Sequence, residues 1–277
     1  MKDNQEKKLL IAFFALTTLV YSCAKGPYYA TNKQYASQAK TYANTLKQNP
    51  LTPGADSVPA PADWVGTINF NMRKPNFVII HHTAQESSDQ TLKTFTLTRT
   101  QVSAHYVIGR DGKVYHMLND YLRAWHAGNA KWGNVTDLNS SSIGIELDNN
   151  GFEPFSDDQI NSLLKLLASL KKNYGIPTAN FIGHGDIAPT RKNDPNVRFP
   201  WKTLAKKGFG LWYDDVLPAT VDSNFNSLQA LRIIGYDIKD STAAIRSFER
   251  HFMQDTVRRV LNDYDKKVLF NLYKKYM

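Results

Sequence analysis

Apolar segments between residues 76 and 183 follow the periodicities of a mixed α/β domain. Phe77–Ile80 is a continuous, partly β-branched apolar run, which predicts a strand buried on both faces, and Ser142–Leu147 predicts another strand. Ala104–Ile108 and Val114–Leu118 flank Arg110-Asp111-Gly112-Lys113, and the Asp-Gly pair suits the turn of a hairpin. The pattern therefore predicts strands of both orientations.

One long helix is expected between these strands and a last short strand. Apolar residues recur every three or four positions from Ser156 to Tyr174, Ser156 and Gln159 form a capping-box pair, and Gly175 suits the helix end. Asn180–Gly183 then returns as a strand and brings His184 to its end. The predicted fold class is α/β, a mixed β-sheet flanked by helices.

After residue 215 the pattern becomes helical. Helical periodicity is seen over about Phe225–Ile234, Ala243–Phe252, Thr256–Leu261 and Lys266–Tyr276. Residues 216–277 are therefore predicted to form a small all-α module. A module of this size without a disulfide has a modest core, so we expect it to pack against the larger domain.

The amino terminus has the shape of a secretory signal. A charged start, Met1–Lys8, precedes the uncharged run Leu9–Val20, whose helical length of roughly 18 Å is well short of the roughly 30 Å hydrocarbon core. The run ends at Cys23 in a sequence that resembles a bacterial lipobox, so we predict a lipoprotein signal peptide over 1–22 and lipidation of Cys23. The alternative is a cleaved signal followed by an incidental free cysteine.

Residues 23–66 are polar and alanine-rich and then carry four prolines, which favour extended chain, so this segment is predicted to be a tether. Residues 67–215 then form the main domain.

Charge and cysteine content narrow the classes of partner and site. The chain carries a formal charge of +9, but export and the dispersed basic residues argue against a nucleic-acid partner and favour a polyanion of the cell envelope. Because Cys23 is the only cysteine, a metal site would have to use histidines and carboxylates.

The chemistry-bearing residues cluster at predicted strand ends, where α/β sheets gather functional groups. The HExxH, GxSxG and P-loop patterns are absent from the sequence. His81, His184 and Asp194 would suffice as three ligands for a catalytic zinc ion, with a fourth position left for water. Their spacing alone is a weak signal, and structural histidines are the competing interpretation.

Five segments in order resemble one known family. They are VIIHHTA (residues 78–84), SAHYVIGRDGKVY (103–115), AWHAG (124–128), SIGIEL (142–147) and GHGDIAPTRKNDP (183–195). Together they resemble the zinc-dependent N-acetylmuramoyl-L-alanine amidases of type 2, which share their fold with peptidoglycan recognition proteins. The resemblance covers roughly residues 76–212.

The resemblance implies a role for each of five residues. The family's metal ligands correspond to His81, His184 and Asp194, which would hold one Zn²⁺ per chain. Glu146 corresponds to the catalytic base, and Lys192 corresponds to the lysine that stabilises the transition state.

Several nearby residues have competing interpretations. His82 could be the ligand in place of His81, although it points to the other side of a strand, and Asp186 is an alternative carboxylate. Trp125, His126 and Gly128 lie in a family loop near the cleft and are candidate substrate contacts.

The implied activity is hydrolysis of the amide between N-acetylmuramic acid and L-alanine. The expected partners are peptidoglycan or muropeptides and, through the anchor at Cys23, a membrane; we expect a monomer at the outer membrane, facing the periplasm. A non-catalytic recognition or tethering lipoprotein is the alternative. Residues 216–277 resemble a peptidoglycan-binding module, with simple support of the fold as the alternative.

Overall fold

The computed structural model describes residues 25–47, 66–254 and 260–277. The predicted signal peptide and Cys23 lie outside these residues. The chain divides into two compact units, Met1–Phe70 and Asn71–Met277. Among the described residues, no helix combines the length and apolar character that crossing a bilayer requires.

The first unit contains a helix that the sequence analysis did not predict. Helix α1 (Tyr29–Leu46) lies inside the segment interpreted as an extended tether, and none of its residues is buried. Its start follows Pro27, and the alanine-rich stretch up to Leu46 contains neither glycine nor proline, so nothing interrupts the helix. The proline-rich part of the predicted tether, residues 50–61, lies outside the described residues.

The second unit contains the sheet and the remaining described helices. The strands are β1 (Phe77–His82), β2 (Tyr106–Ile108), β3 (Val114–His116), β4 (Ser142–Leu147) and β5 (Phe181–Gly183). The helices are α2 (Ser88–Phe95), α3 (Leu138–Ser141), α4 (Asp157–Tyr174), α5 (His184–Ile187), α6 (Trp201–Lys206), α7 (Ser227–Ile234), α8 (Ser241–Phe248) and α9 (Asp263–Tyr276).

The five strands form one mixed sheet in the order β3-β2-β4-β1-β5. β1 pairs in parallel with both β4 and β5, β2 pairs in parallel with β4, and β2 and β3 form the predicted antiparallel hairpin. Mixed pairing with helices on the sheet confirms the predicted fold class.

Helix α4 begins and ends where its sequence signals indicate. The side chain of Ser156 accepts a hydrogen bond from the backbone N–H of Gln159, which satisfies one of the unpaired donors of the first turn. Gly175 ends the helix in the left-handed conformation (φ 64°). The buried residues Leu163, Leu167 and Leu170 form the stripe that packs on the sheet.

The two faces of the sheet belong to two apolar cores. Alternation along β1 places Val78 and Ile80 in a core with α4, whereas Ile79 lies in a core with residues of the carboxy-terminal helices. His81 follows the same alternation and therefore lies on the second face. The sheet face that carries His81 is covered by the carboxy-terminal segment.

The carboxy-terminal helices follow the predicted pattern with two differences. The predicted helix from Ala243 to Phe252 is α8 followed by a wider π-type turn, Glu249–Met253. The predicted helix over Thr256–Leu261 falls largely on residues 255–259, which lie outside the described residues. The boundaries proposed for the four segments of the chain stay predictions.

The shared core leads to a prediction for Phe248, which is fully buried in the core that also contains Ile79 and Ile182 of the sheet. Phe248→Ala should lower the free energy of unfolding by about 3–5 kcal/mol, because it leaves a cavity there. Urea unfolding followed by tryptophan fluorescence and far-UV circular dichroism should show one coincident transition.

Leu228→Ala on α7 is the matched control, because Leu228 is 38% exposed. It should change the free energy by about 0.5 kcal/mol or less. Two separate transitions in the parent protein would contradict a core shared between sheet and helices.

Candidate metal centre

Parallel strand pairing gathers the predicted site residues at one edge of the sheet. The register of β1 with β4 places His81 directly beside Glu146. β5 pairs with the other side of β1, and His184 is the first residue of α5 immediately after it. Because the carboxyl ends of parallel strands meet at one edge, residues far apart in sequence become neighbours.

The three predicted ligands place three atoms that could coordinate a metal close together; we call these atoms the donor set. Nδ1 of His81 lies 2.9 Å from Nδ1 of His184, and Oδ2 of Asp194 lies 3.1 Å and 3.0 Å from these two atoms. All three residues are buried. Asp194 returns to the site because its carbonyl accepts a hydrogen bond from the N–H of Gly185 at 2.7 Å.

In each histidine ligand, the hydrogen bond made by Nε2, the nitrogen that faces away from the site, determines whether Nδ1, which faces into the site, carries a free lone pair. Nε2 of His184 lies 3.1 Å from the carbonyl of Ala127, which can only accept, so Nε2 carries the proton and Nδ1 is bare. A longer chain of hydrogen bonds makes the same assignment for His81.

This second chain runs through His126 and Ser142. The Ser142 hydroxyl donates to the carbonyl of Leu138 and accepts from Nε2 of His126 at 3.2 Å. Nδ1 of His126 is then an acceptor, and it receives the Nε2 proton of His81 at 3.0 Å. Nδ1 of His81 is therefore bare as well.

All three atoms of the donor set are hydrogen-bond acceptors, and they face one another at about 3 Å, which fits a divalent cation. Two imidazole lone pairs and a carboxylate oxygen provide no proton to share, so a positive charge between them would stabilise the arrangement. Ligand atoms of a tetrahedral zinc ion are separated by about 3.4 Å, close to the spacing of His81, His184 and Asp194. The donor set of two imidazoles and one carboxylate is also of the type that zinc accepts.

The electrostatics favour the metal-binding protonation states of His81 and Asp194. Burial lowers the pKa of His81 to about 4, so the imidazole is neutral at pH 7. Burial alone would raise the pKa of Asp194, but the neighbouring His184 and His81 hold it well below its usual range. The carboxylate is therefore ionised.

Glu146 lies beside the donor atoms but does not belong to their set. Its Oε1 is 3.9 Å from Nδ1 of His81, and its side chain is 13% exposed. Within the described part of the chain, its Oε2 has no hydrogen-bond partner. Burial and the charge of Asp194 raise the pKa of Glu146 to about 8, while the charge of Lys192 opposes this shift. Glu146 is thus a carboxyl group poised to exchange a proton near neutral pH.

A cavity of about 420 Å³ opens next to these residues, and Lys192 and Arg191 contribute positive charge to its lining, whereas Arg123 in the lining is ion-paired with Asp137 at 3.0 Å. Lys192 itself is exposed. Trp125 is 49% exposed in the same lining. The cavity is therefore lined by histidines of the site, by the aromatic ring of Trp125 and by three cationic side chains.

Trp125, His126 and Gly128, the predicted substrate contacts, differ in placement. Trp125 and Gly128 line the cavity, and Gly128 adopts a left-handed conformation (φ 60°) with the Arg191 guanidinium packed against it. His126 also lines the cavity, but it is buried and both ring nitrogens are engaged with His81 and Ser142. This geometry makes His126 a support for a ligand, a role that the sequence analysis missed.

The alternative ligands are held elsewhere. His82 lies on the opposite face of β1, and its Nδ1 accepts a hydrogen bond from the N–H of Asn196 at 3.0 Å. Asp186 bonds to Tyr236 and His251 of the carboxy-terminal segment, at 2.8 Å and 2.7 Å. Neither residue joins His81, His184 and Asp194. No local sequence signal could have identified Tyr236 and His251 as partners of Asp186, because they are 50 and 65 positions away.

Comparisons with known proteins agree with this geometry. The family model described as N-acetylmuramoyl-L-alanine amidase matches residues 71–197. N-acetylmuramoyl-L-alanine amidase AmiD of Escherichia coli is 35% identical over 206 residues, which cover 63% of this chain and 74% of AmiD. The 1,6-anhydro-N-acetylmuramyl-L-alanine amidase AmpD of the same species is 37% identical over 105 residues, 38% of this chain and 57% of AmpD.

Solved structures extend the similarity beyond the matched residues. E. coli AmiD, in complex with the substrate anhydro-N-acetylmuramic acid-L-Ala-D-γ-Glu-L-Lys, superposes with a TM-score of 0.67 at 28% identity, over 76% of this chain and 93% of AmiD. AmpDh3 of Pseudomonas aeruginosa gives the same TM-score at 27% identity, over 82% of this chain and 99% of AmpDh3. With its fold, its clustered histidines and carboxylates and these relatives, the chain belongs to the N-acetylmuramoyl-L-alanine amidase family.

Proposed function

We propose that this protein is a zinc-dependent hydrolase that cleaves the amide bond between N-acetylmuramic acid and L-alanine in peptidoglycan or its fragments. The observation that carries the proposal is the convergence of His81, His184 and Asp194 as bare acceptors, with the unpaired oxygen of Glu146 beside them. The amidase activity of AmiD and AmpD supports the same reaction. A complete ligand set favours catalysis over recognition alone.

The ligand set suits Zn²⁺ in particular. Two histidines and one carboxylate are a familiar catalytic zinc set, in which the fourth position is left for water or substrate. A bound Zn²⁺ would supply a Lewis acid that activates water and polarises the scissile carbonyl. The hydrogen bonds from His184 to Ala127 and from His81 to His126 hold both imidazoles in the required orientation.

The chain's own groups then carry the protons and stabilise the charge. Glu146, in its ionised form, takes the proton from the attacking water, and a nearby cation favours that form. Lys192, in the cavity lining, offers positive charge to the developing oxyanion. Protonated Glu146 passes its proton to the departing amine of L-alanine, which completes the cleavage.

The charge of the cavity fits an acidic stem peptide. The substrate bound by E. coli AmiD contains a γ-linked D-glutamate, whose α-carboxylate is free. The Arg191 guanidinium in this cavity bonds to the backbone carbonyls of Ala127 and Asn129, which carry no net charge and leave its positive charge available. We propose that such cations attract the stem carboxylates.

The site of action is a separate part of the proposal. An apolar run before Cys23 supports export and lipid anchoring, and Ala24 after it favours the outer membrane over the inner, with the enzyme facing the periplasm. The charge of +9 suits a polyanionic envelope. We propose a lipid-anchored monomer whose carboxy-terminal helices contact peptidoglycan.

The first prediction concerns the ligand His184. Purified protein should contain one zinc ion per chain and release free stem peptides from muropeptides, whereas His184→Ala should lose both properties because one of three ligands is gone. Metal analysis and mass spectrometry of the products measure both. His116→Ala, at an exposed histidine on the edge strand β3, which β2 and β4 separate from β1, should retain zinc and cleavage. A parent protein that binds zinc but leaves muropeptides intact would overturn the proposed reaction.

The second prediction separates the base from the ligands. Glu146→Gln should lower kcat by roughly 100-fold or more, because the amide cannot take up the proton, while zinc content stays at one per chain. Steady-state kinetics on a muropeptide, with metal analysis of the same sample, test this. Retention of more than about a tenth of the parent rate would exclude Glu146 as the base.

The third prediction concerns the anchor. In a bacterial host that lipidates exported proteins, the parent should fractionate with outer membranes, and Cys23→Ser should move it to the soluble fraction, because no thiol remains to be acylated. Cleavage by the purified variant should be unchanged. Identical fractionation of parent and variant would refute anchoring through Cys23.

A further inference from the structure

The turn that carries the ligand His184 is bonded to side chains from the carboxy-terminal helical segment. Asp186, two residues after His184, is 3% exposed. Its Oδ1 accepts from the Tyr236 hydroxyl at 2.8 Å, and its Oδ2 pairs with Nδ1 of His251 at 2.7 Å. Together with Ser247, these residues form what we call the Asp186 cluster.

The same cluster also reaches the loop that carries the third ligand. The Ser247 hydroxyl donates to the carbonyl of Gly185 at 2.7 Å. The N–H of Gly185 donates to the carbonyl of Asp194, also at 2.7 Å. Gly185 is therefore held by Ser247 on its carbonyl side and by Asp194 on its N–H side, and its position affects both His184 and Asp194.

The contacts of Asp186 divide between its own turn and the helical segment. Within the turn, Oδ2 also accepts from the N–H of Gly183 at 2.8 Å. Oδ1 depends on the helical segment, because among the described residues its one other contact beyond Tyr236 is with Ser247 at 3.4 Å. A buried carboxylate that loses a donor is costly, so loss of the Tyr236 hydroxyl should displace the turn.

His251, the second partner of Asp186 in the helical segment, is fixed in its orientation by stacking. The ring of His251 lies 4.0 Å from that of Trp201 with an interplanar angle of 13°. Tyr236 and His251 are 2% and 5% exposed, so the contacts with Asp186 are shielded from water. Well-oriented, desolvated hydrogen bonds of this kind restrict the movement of what they hold.

We propose that Tyr236 and His251 are positioning residues of the metal centre, and that they hold His184 and Asp194 in place through Asp186 and Gly185. Both residues lie outside positions 71–197, which the family model matches. The helical segment is then part of the metal site in addition to any contact with peptidoglycan. This inference rests on the metal binding included in the proposed function.

The test compares two tyrosine substitutions of the same kind. Tyr236→Phe removes the hydroxyl that bonds to Asp186. Tyr106→Phe removes a hydroxyl that bonds to another buried carboxylate, Asp120, at 2.9 Å, and Tyr106 is 7% exposed. Among the described residues, Asp120 bonds to Tyr106, Tyr174 and His116, none of which is a predicted metal ligand. This control therefore matches the chemical change and the burial but should leave the metal ligands unaffected.

The zinc dissociation constant of the full-length protein, measured by competition with a chelator, is the main readout. Tyr236→Phe should weaken zinc binding about 10-fold, as expected for loss of a group that orients ligands, and Tyr106→Phe should leave it within 2-fold of the parent. The visible absorption spectrum of the Co²⁺-substituted protein should change in Tyr236→Phe alone, because that spectrum reports ligand geometry.

A second variant covers the case in which Tyr236→Phe does not fold. Ser247→Ala removes the hydrogen bond to Gly185 and should also weaken zinc binding several-fold. If folded variants with lower melting temperatures keep the parent's zinc affinity and Co²⁺ spectrum, the cluster only stabilises the fold and the inference is overturned. A parent that binds no zinc would overturn this inference and the proposed function together. A parent that binds zinc without cleaving muropeptides would overturn the proposed reaction alone.

Discussion

The metal centre depends on holding three acceptors against one another in a buried place. Nδ1 of His81, Nδ1 of His184 and Oδ2 of Asp194 lie about 3 Å apart with no proton to share, an arrangement that is unfavourable unless a cation joins them. Such an arrangement persists only where many contacts with the surrounding structure hold the three residues in place. Parallel pairing of β1 supplies two of the positions, and a bonded loop returns the third. The remainder of the second unit can be understood as support for this arrangement.

Much of the fold could be predicted because its signals are local. The bounds of β4 and the cap and end of α4 follow from apolar runs, a serine cap and a glycine, each of which acts within a few residues. Helix α1 was missed because the segment that contains it was interpreted from the four prolines at positions 50–61, all of which lie beyond the helix end at Leu46. The predicted ligands were reached through a family resemblance, since widely separated ligands leave no local pattern.

The supporting contacts could not be predicted because they join distant parts of the chain. The bond between His126 and His81 spans 45 positions, and those from Asp186 to Tyr236 and His251 span 50 and 65. Each depends on the completed packing of elements that the sequence specifies only separately. The supports nevertheless determine the tautomer and orientation of the ligands, so the chemistry of the site is shared between nearby and distant residues.

Gly144, in the middle of β4, restricts which amino-acid substitutions this site can accept. A Cβ at Gly144 would lie 2.4 Å from the ring of His126, which occupies the space beneath the strand. A larger residue at position 144 is therefore excluded as long as His126 is present, and it becomes admissible once the ring has gone. The two positions are epistatic: the order of substitution decides whether an intermediate folds, and additive estimates will fail for the pair.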